Sequence, residues 1–145
     1  MRTIALRFSD AFAPKAGTIY EHLKLIKKYG YVWYGKKGGK ISPIVVKDIC
    51  KTFPIKALFI KTSSAERYWI TIEEIQYSKP DIFPSYYKDE LSSMKTFLKI
   101  TNIEVAPPDV LKNCFLTNGK CLDEILKKTM AFIFQKKETM KDFLF

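Results

Sequence analysis

The chain opens on a strict alternation. Ile4, Leu6 and Phe8 fall on one side and Ala5 and Arg7 on the other, which predicts a strand over residues 3–8. Ser9 to Pro14 has turn composition. The period then becomes helical. Ile19, Leu23 and Ile26 share a face, so a helix is predicted from Thr18 to about Lys28, with Thr18 and Glu21 as a capping box and Gly30 as its stop. Tyr31 to Tyr34 reads as an aromatic strand, with Tyr31 and Trp33 on one face and Val32 and Tyr34 on the other. Gly35 to Lys40 reads as a flexible basic loop. Ser42-Pro43 is an N-cap and first-turn pair that predicts a short helix to Cys50 or Lys51. Ile44, Val45 and Val46 suit a strand equally well, so both assignments stay open there.

Strands are predicted over 55–62 and 68–77. In the second, Trp69, Thr71, Glu73 and Ile75 face one way, and Tyr68, Ile70, Ile72 and Glu74 the other. Pro80 and Pro84 bracket a loop region that holds Tyr86 and Tyr87. Residues 97–100 and 103–105 read as strand, with Thr101-Asn102 between them. Pro107-Pro108 breaks the chain, Asn118-Gly119 is a turn, residues 121–129 read as helix and 131–135 as a last strand. The tail from Lys136 is a short helix or a frayed end. With no repeat and no linker, residues 1–145 make a single domain, the tail from about 136 lying at its periphery. Many short strands with two or three short helices give an α+β class: a compact, strand-rich curved sheet or partly open barrel with helices at its edge.

Composition adds three constraints. Hydrophobic residues at 47% support a packed core and exclude a disordered chain. Cys50, Cys114 and Cys121 are odd in number and widely spaced, which argues against a disulfide framework and for a reducing, cytoplasmic compartment. No apolar run approaches the roughly 18 residues of a membrane span, and Arg7 interrupts the opening apolar segment, so neither a membrane anchor nor a signal peptide is expected.

Charge changes the picture most. Lys plus Arg is 25 against 15 for Asp plus Glu, a net of +10. Ten lysines lie between Lys24 and Lys61, with Asp48 the only acidic residue among them. A localised basic segment is the electrostatic footprint expected for nucleic acid, and it is also what a solvated lysine-rich face looks like. Lysine in preference to arginine fits phosphate attraction over base reading. Lys36, Lys37, Lys40 and Lys47 from this window, with Arg67, are the phosphate-binding candidates. Aromatics interleave with them: Trp33 precedes Lys36-Lys37, Trp69 follows Arg67, and Tyr86-Tyr87 precedes Lys88. Such rings stack on bases, and they equally fill the core face of a sheet.

Catalysis finds little support. His22 is the sole histidine and sits mid-helix, where an amphipathic or rim position is expected, so any Ser–His or Cys–His pair would rest on it alone. No CxxC occurs, and adjacent Glu73 and Glu74 point to opposite faces of a strand, which argues against metal ligation. Gly35 to Lys40 lacks the spacing and the closing Ser or Thr of a phosphate loop. No catalytic residue, no metal and no cofactor is assigned.

Three segments carry a family resemblance: Phe8-Ser9-Asp10-Ala11-Phe12-Ala13-Pro14, Tyr31-Val32-Trp33-Tyr34-Gly35, and Phe83-Pro84-Ser85-Tyr86-Tyr87, the last followed by Phe97-Leu98-Lys99-Ile100. Together they resemble the PUA-like superfamily, nearest to EVE-type domains and related modified-base-reading modules. The resemblance implies a small barrel-like fold that holds a modified or flipped base in an aromatic pocket beside a basic face. It implies Ser9, Trp33, Trp69 and Tyr86 as the pocket, with Trp33 foremost. The expected function is a non-catalytic nucleic-acid-binding module, DNA and RNA both open as partner. The alternatives are a protein-interaction or regulatory module within a nucleic-acid-processing or defence complex, and, third, a small enzyme acting on nucleic acid or a nucleotide.

Overall fold

The computed structural model describes residues 2–52, 54–116, 119–125 and 131–136. In chain order the elements are β1 (Arg2–Phe8), α1 (Thr18–Tyr29), β2 (Val32–Lys37), α2 (Pro43–Ile49), β3 (Ile55–Lys61), β4 (Arg67–Gln76), β5 (Met94–Ala106), β6 (Cys114–Phe115), α3 (Leu122–Ile125) and β7 (Ala131–Lys136). Three single 3-10 turns supplement them, one of which spans Ser85–Asp89. The class is mixed α+β and strand-rich. Asn118 of the expected Asn118-Gly119 turn, the end of the helix predicted to Thr129 and the tail beyond Lys136 lie outside the described residues.

All strands join one sheet in the order β2-β5-β4-β3-β1-β7-β6. The β1–β3 pair is parallel and the other pairs are antiparallel. The first five strands in that order curl into a half-barrel. One contact shows how tightly. β2 and β3 are three strand spacings apart, about 14 Å in a flat sheet, yet the Tyr34 and Phe59 rings lie 4.6 Å centroid to centroid. The concave face holds the main core, built from Ile4, Leu6, Phe8, Val32, Tyr34, Ile55, Ala57, Phe59, Ile70, Ile72, Leu98 and Ile100. Helix α1 closes it with Ile19, Leu25 and Ile26, and α2 with Val45 and Ile49. A second core lies on the convex face, where Ala5, Leu58, Ile60 and Ala106 meet Val110, Leu111, Leu116 and Leu122. Strand β3 is therefore buried on both faces, which is why Ala57-Leu58-Phe59-Ile60 is a continuous apolar run.

Several local expectations are corrected. The segment 44–46 is helical: Ser42 Oγ accepts the Val45 N–H and Pro43 opens the first turn of α2. Strand β2 runs on through Gly35 to Lys37, because β5 pairs with it to its end, and only Gly38 onward is loop. Residues 94–106 form one strand, Thr101-Asn102 included, since β4 supplies partners along its length. The pairing of β4 with β5 slips between Thr71 and Ile72 and again between Ile72 and Glu74. This bulge reverses the alternation, so Ile75 packs on the same core as Ile72 and not beside Trp69. Helix α1 has no capping box. Gly17 is its N-cap with φ 96°, and the Thr18 N–H goes instead to Asp10 Oδ1 at 2.9 Å, across the 9–17 loop. Leu23 stays 39% exposed, while Thr18 and His22 occupy the buried stripe.

Candidate functional site

A half-barrel leaves its first and last strands apart. Here β1 and β2 do not pair among the described residues, and a cavity of about 200 Å³ occupies the seam between them. Its walls are the end of β1 (Leu6 to Phe8), the following loop (Ser9, Phe12, Ala13), Thr18 at the start of α1, β2 from Tyr34 to Lys37, Thr62, Tyr86, Tyr87 and Met94. The lining is mainly aromatic and aliphatic, with Arg7, Lys36 and Lys37 in the wall and no Asp or Glu. Its size is below the roughly 300–1,000 Å³ of pockets that enclose drug-sized ligands, and suits one planar ring system.

The 9–17 loop is braced from below. Asp10 holds the Thr18 N–H and pairs with Lys61 at 3.1 Å; burial works against its charge, but the Thr18 and Lys61 hydrogen bonds hold its carboxyl below the usual range. Ser9 Oγ accepts from Ala11 N at 3.1 Å and Thr18 Oγ1 donates to the Ser9 carbonyl. Phe12 is 63% exposed at the end of this loop, with Lys37 Nζ 3.7 Å from its ring centroid. Lys37 also pairs with Glu90 at 3.0 Å, and Lys36 bends back to the carbonyls of Lys37 and Gly39. Partial burial lowers the Lys36 pKa.

The back wall is a buried polar relay. Tyr87 OH accepts the Gly35 N–H at 3.3 Å and meets His22 Nε2 at 2.5 Å; His22 Nδ1 meets the Thr18 carbonyl at 2.7 Å. A carbonyl only accepts, so Nδ1 carries the proton and Nε2 accepts a hydrogen bond from the Tyr87 hydroxyl. Every polar atom of the relay is thereby satisfied, and α1, β2 and the 85–89 turn are tied together. The relay also serves the free edge of β2, whose Trp33 N–H goes to the Ile82 carbonyl and whose Gly35 N–H goes to Tyr87. His22 is fully buried, not the rim residue expected, and burial lowers its pKa to about 4. Burial likewise raises Tyr34 and Tyr87 well above the usual phenol range and Tyr86 to about 12, so all three hydroxyls stay protonated at neutral pH.

The structure brings together only part of the predicted site. Ser9, Tyr86, Lys36 and Lys37 line the cavity. Trp33 does not: it is 5% exposed, packed with Tyr87, Met94 and Phe97 under residues 81–91, its Nε1 donating to Asp81. Trp69 packs against the convex-face core, on the other side of the sheet. The two tryptophans thus share no pocket. Arg67 is 7% exposed with its guanidinium donating to the Ser64 and Glu66 carbonyls, which leaves it poorly placed to reach a phosphate. Lys40 lies over the Tyr77 ring and Lys47 on the exposed side of α2, neither lining the cavity. Five of the ten window lysines (24, 37, 51, 56 and 61) form carboxylate pairs. These are exposed pairs, worth about 0–1 kcal/mol each, which a phosphate can displace.

Phe12, Tyr34, Gly35 and Met94 belong to the site and carried no site assignment in the sequence reading. A Cβ on Gly35 would overlap Met94 Sδ, so only glycine lets the Met94 side chain cross β2 at the cavity wall. Gly35→Ala is expected to force Met94 aside at a cost of about 1–2 kcal/mol, an overpacking effect that urea denaturation measures. Among the described residues no His, Cys, Asp and Glu group is arranged to hold a metal, and no helix is long and apolar enough to cross a membrane.

Searches of curated proteins and of solved structures return no match. A family model described as Pua-like matches residues 4–140, nearly the whole length over which this half-barrel and its seam cavity are built, and the chain belongs to that family.

Proposed function

We propose that the chain is a non-catalytic nucleic-acid-binding module that takes a single extruded base into the cavity between β1 and β2. Pua-like domains generally bind nucleic acids. The observation that carries the reading is the seam cavity itself: a base-sized space walled by Phe12, Tyr34, Tyr86 and Met94, with Lys36 and Lys37 beside it. Aromatic walls hold a base by stacking, and lysines hold the strand that delivers it. Extrusion has a cost of a few kcal/mol, least for a strand already single or a base already mispaired or modified. Leu6, Phe12 and Met94 offer the apolar contact that a methyl substituent on the base prefers. Ser9 closes the loop side of the cavity in this reading.

The test is an anisotropy titration with a labelled short strand, single and in duplex, against the same strand carrying one abasic site. The intact strand is expected to bind more tightly at low salt, and affinity to fall as salt rises because lysine–phosphate contacts release counterions. Tyr86→Ala is expected to cost about 1–3 kcal/mol, a loss of roughly 5- to 150-fold, for the intact strand only. Equal binding of intact and abasic strands, or no binding at low salt, would overturn the reading.

A further inference from the structure

One polar group in the cavity has no role in holding the protein together. The Tyr34 ring is packed hard, 4.6 Å from Phe59 and 5.6 Å from His22, and the residue is only 9% exposed. Its neighbours' polar atoms are committed: His22 to Thr18 and Tyr87, Tyr87 to Gly35 and His22. The Tyr34 hydroxyl makes no hydrogen bond among the described residues, and it is not among the polar atoms sealed from solvent without a partner. It therefore opens on the space that Tyr34 lines, the seam cavity. Buried hydroxyls are almost always paired, since leaving one bare costs about 1–3 kcal/mol. A side chain nine-tenths buried that keeps its hydroxyl uncommitted, facing a cavity, is built to meet something that enters.

What it can meet follows from its protonation. With the phenol pKa raised by burial, the group is a donor at any physiological pH. No carboxylate lines the cavity to compete for that proton. The chemical complement is an acceptor on the rim of a flat ring, such as a keto oxygen or unprotonated ring nitrogen of a nucleobase. We propose that Tyr34 is the polar reading group of the cavity, donating its hydroxyl proton to a ring-edge acceptor of the base while Tyr86 and Phe12 supply aromatic contact. This rests on the base-binding reading above and adds to it the atom that does the recognition.

A double-mutant cycle between protein and ligand tests it. The probes are three short strands identical except at one position, which carries thymine, its shape-matched isostere difluorotoluene, or an abasic site. The isostere keeps thymine's outline and lacks its strong acceptors. Wild-type protein is expected to bind the thymine strand about 3- to 10-fold more tightly than the isostere strand, the worth of one hydrogen bond of about 1 kcal/mol. Tyr34→Phe is expected to bind the two equally while still preferring both to the abasic strand. Its stability should be unchanged or slightly raised, because an unpaired hydroxyl leaves the interior. If Tyr34→Phe keeps the thymine preference, or wild type shows none while rejecting the abasic strand, Tyr34 is not the reading group. If wild type fails to distinguish thymine from the abasic site, the base-binding reading itself falls, together with this one.

Discussion

Acidification from pH 7 to pH 4.5 is expected to remove about 2–3 kcal/mol of folding stability through His22 alone. The folded protein holds this imidazole neutral: burial is the main cause, opposed by the Thr18 carbonyl and by the charge of Glu21, and the pKa falls from 6.5 to about 4. In the unfolded chain the same group titrates near 6.5. Between these values the unfolded state binds the proton and the folded state does not, so stability falls as pH drops through that window and is fully present above it. The groups facing His22 are Thr18 and Glu21 on its own helix and Tyr34, Tyr86 and Tyr87 from β2 and the 85–89 turn. The tyrosines stay neutral throughout the window. Asp10, Glu66 and Asp81 have lowered pKa values, so their contributions are lost only at more acid pH. Urea denaturation at half-unit steps from pH 7.5 to 4.5 reads the slope. A flat profile above pH 5 would show that His22 is not held neutral.

Tyr87→Phe is expected to destabilise the fold by about 2–4 kcal/mol, although it changes neither volume nor packing. The single hydroxyl serves two buried partners, accepting from Gly35 N–H and donating to His22 Nε2. Its removal leaves a donor and an acceptor bare, each at about 1–3 kcal/mol. It also frees the edge of β2 exactly where the cavity wall needs Gly35 and Tyr34 held still. Chemical denaturation measures the cost, and the strand titrations should show weaker base-dependent binding with unchanged binding to the abasic strand. A loss under about 0.5 kcal/mol, the size of an ordinary surface substitution, would mean the relay adds nothing to stability. Tyr87→Phe and Tyr34→Phe make a pair of equal chemistry and unequal expected effect on stability, because one hydroxyl is committed to the protein and the other is not.

Most elements could be read from local pattern. Period-two alternation locates β1 and β4, residues 55–62 read as strand without it, and Ser42-Pro43 and Gly30 mark the ends of helices. What local pattern lacks is the identity of a covering layer. Alternation put Tyr31 and Trp33 on one face of β2 and Val32 and Tyr34 on the other, and both pairs are where it put them. It does not say that residues 81–91, fifty positions downstream, cover the first face, nor that the half-barrel stays open beside the second. Family resemblance points to the tryptophans for the pocket, and large aromatics do stack on bases. Large aromatics also fill cores, and packing decided against them. The bulge at Ile72–Glu74 was invisible for the same reason, since a slip in pairing belongs to two strands and neither sequence alone records it. Of the four residues that the family resemblance implies, Ser9 and Tyr86 line the cavity, as do Lys36 and Lys37 among the charge-based candidates. Tyr34 could not be found either way, because only three dimensions show that its hydroxyl is left over.

The parallel pairing of β1 with β3 sets the order in which this molecule can be assembled. Strands β3 and β4 form a hairpin across the short 62–66 turn and can close locally. Strand β1 has no such neighbour: Ala5 pairs with Leu58 on one side and with Phe132 on the other. Pairings that close such long loops come late and slow the search for the native state. During synthesis β1 precedes both of its partners, and its second edge stays unpaired until residues 131–136 arrive. The cavity end of that strand, Leu6 to Phe8, pairs with β3 at Phe59 to Lys61, so the seam cannot be framed before β3 is made. A cavity with walls from β1, β2 and the 85–89 turn is therefore a property of the assembled sheet and not of any local segment.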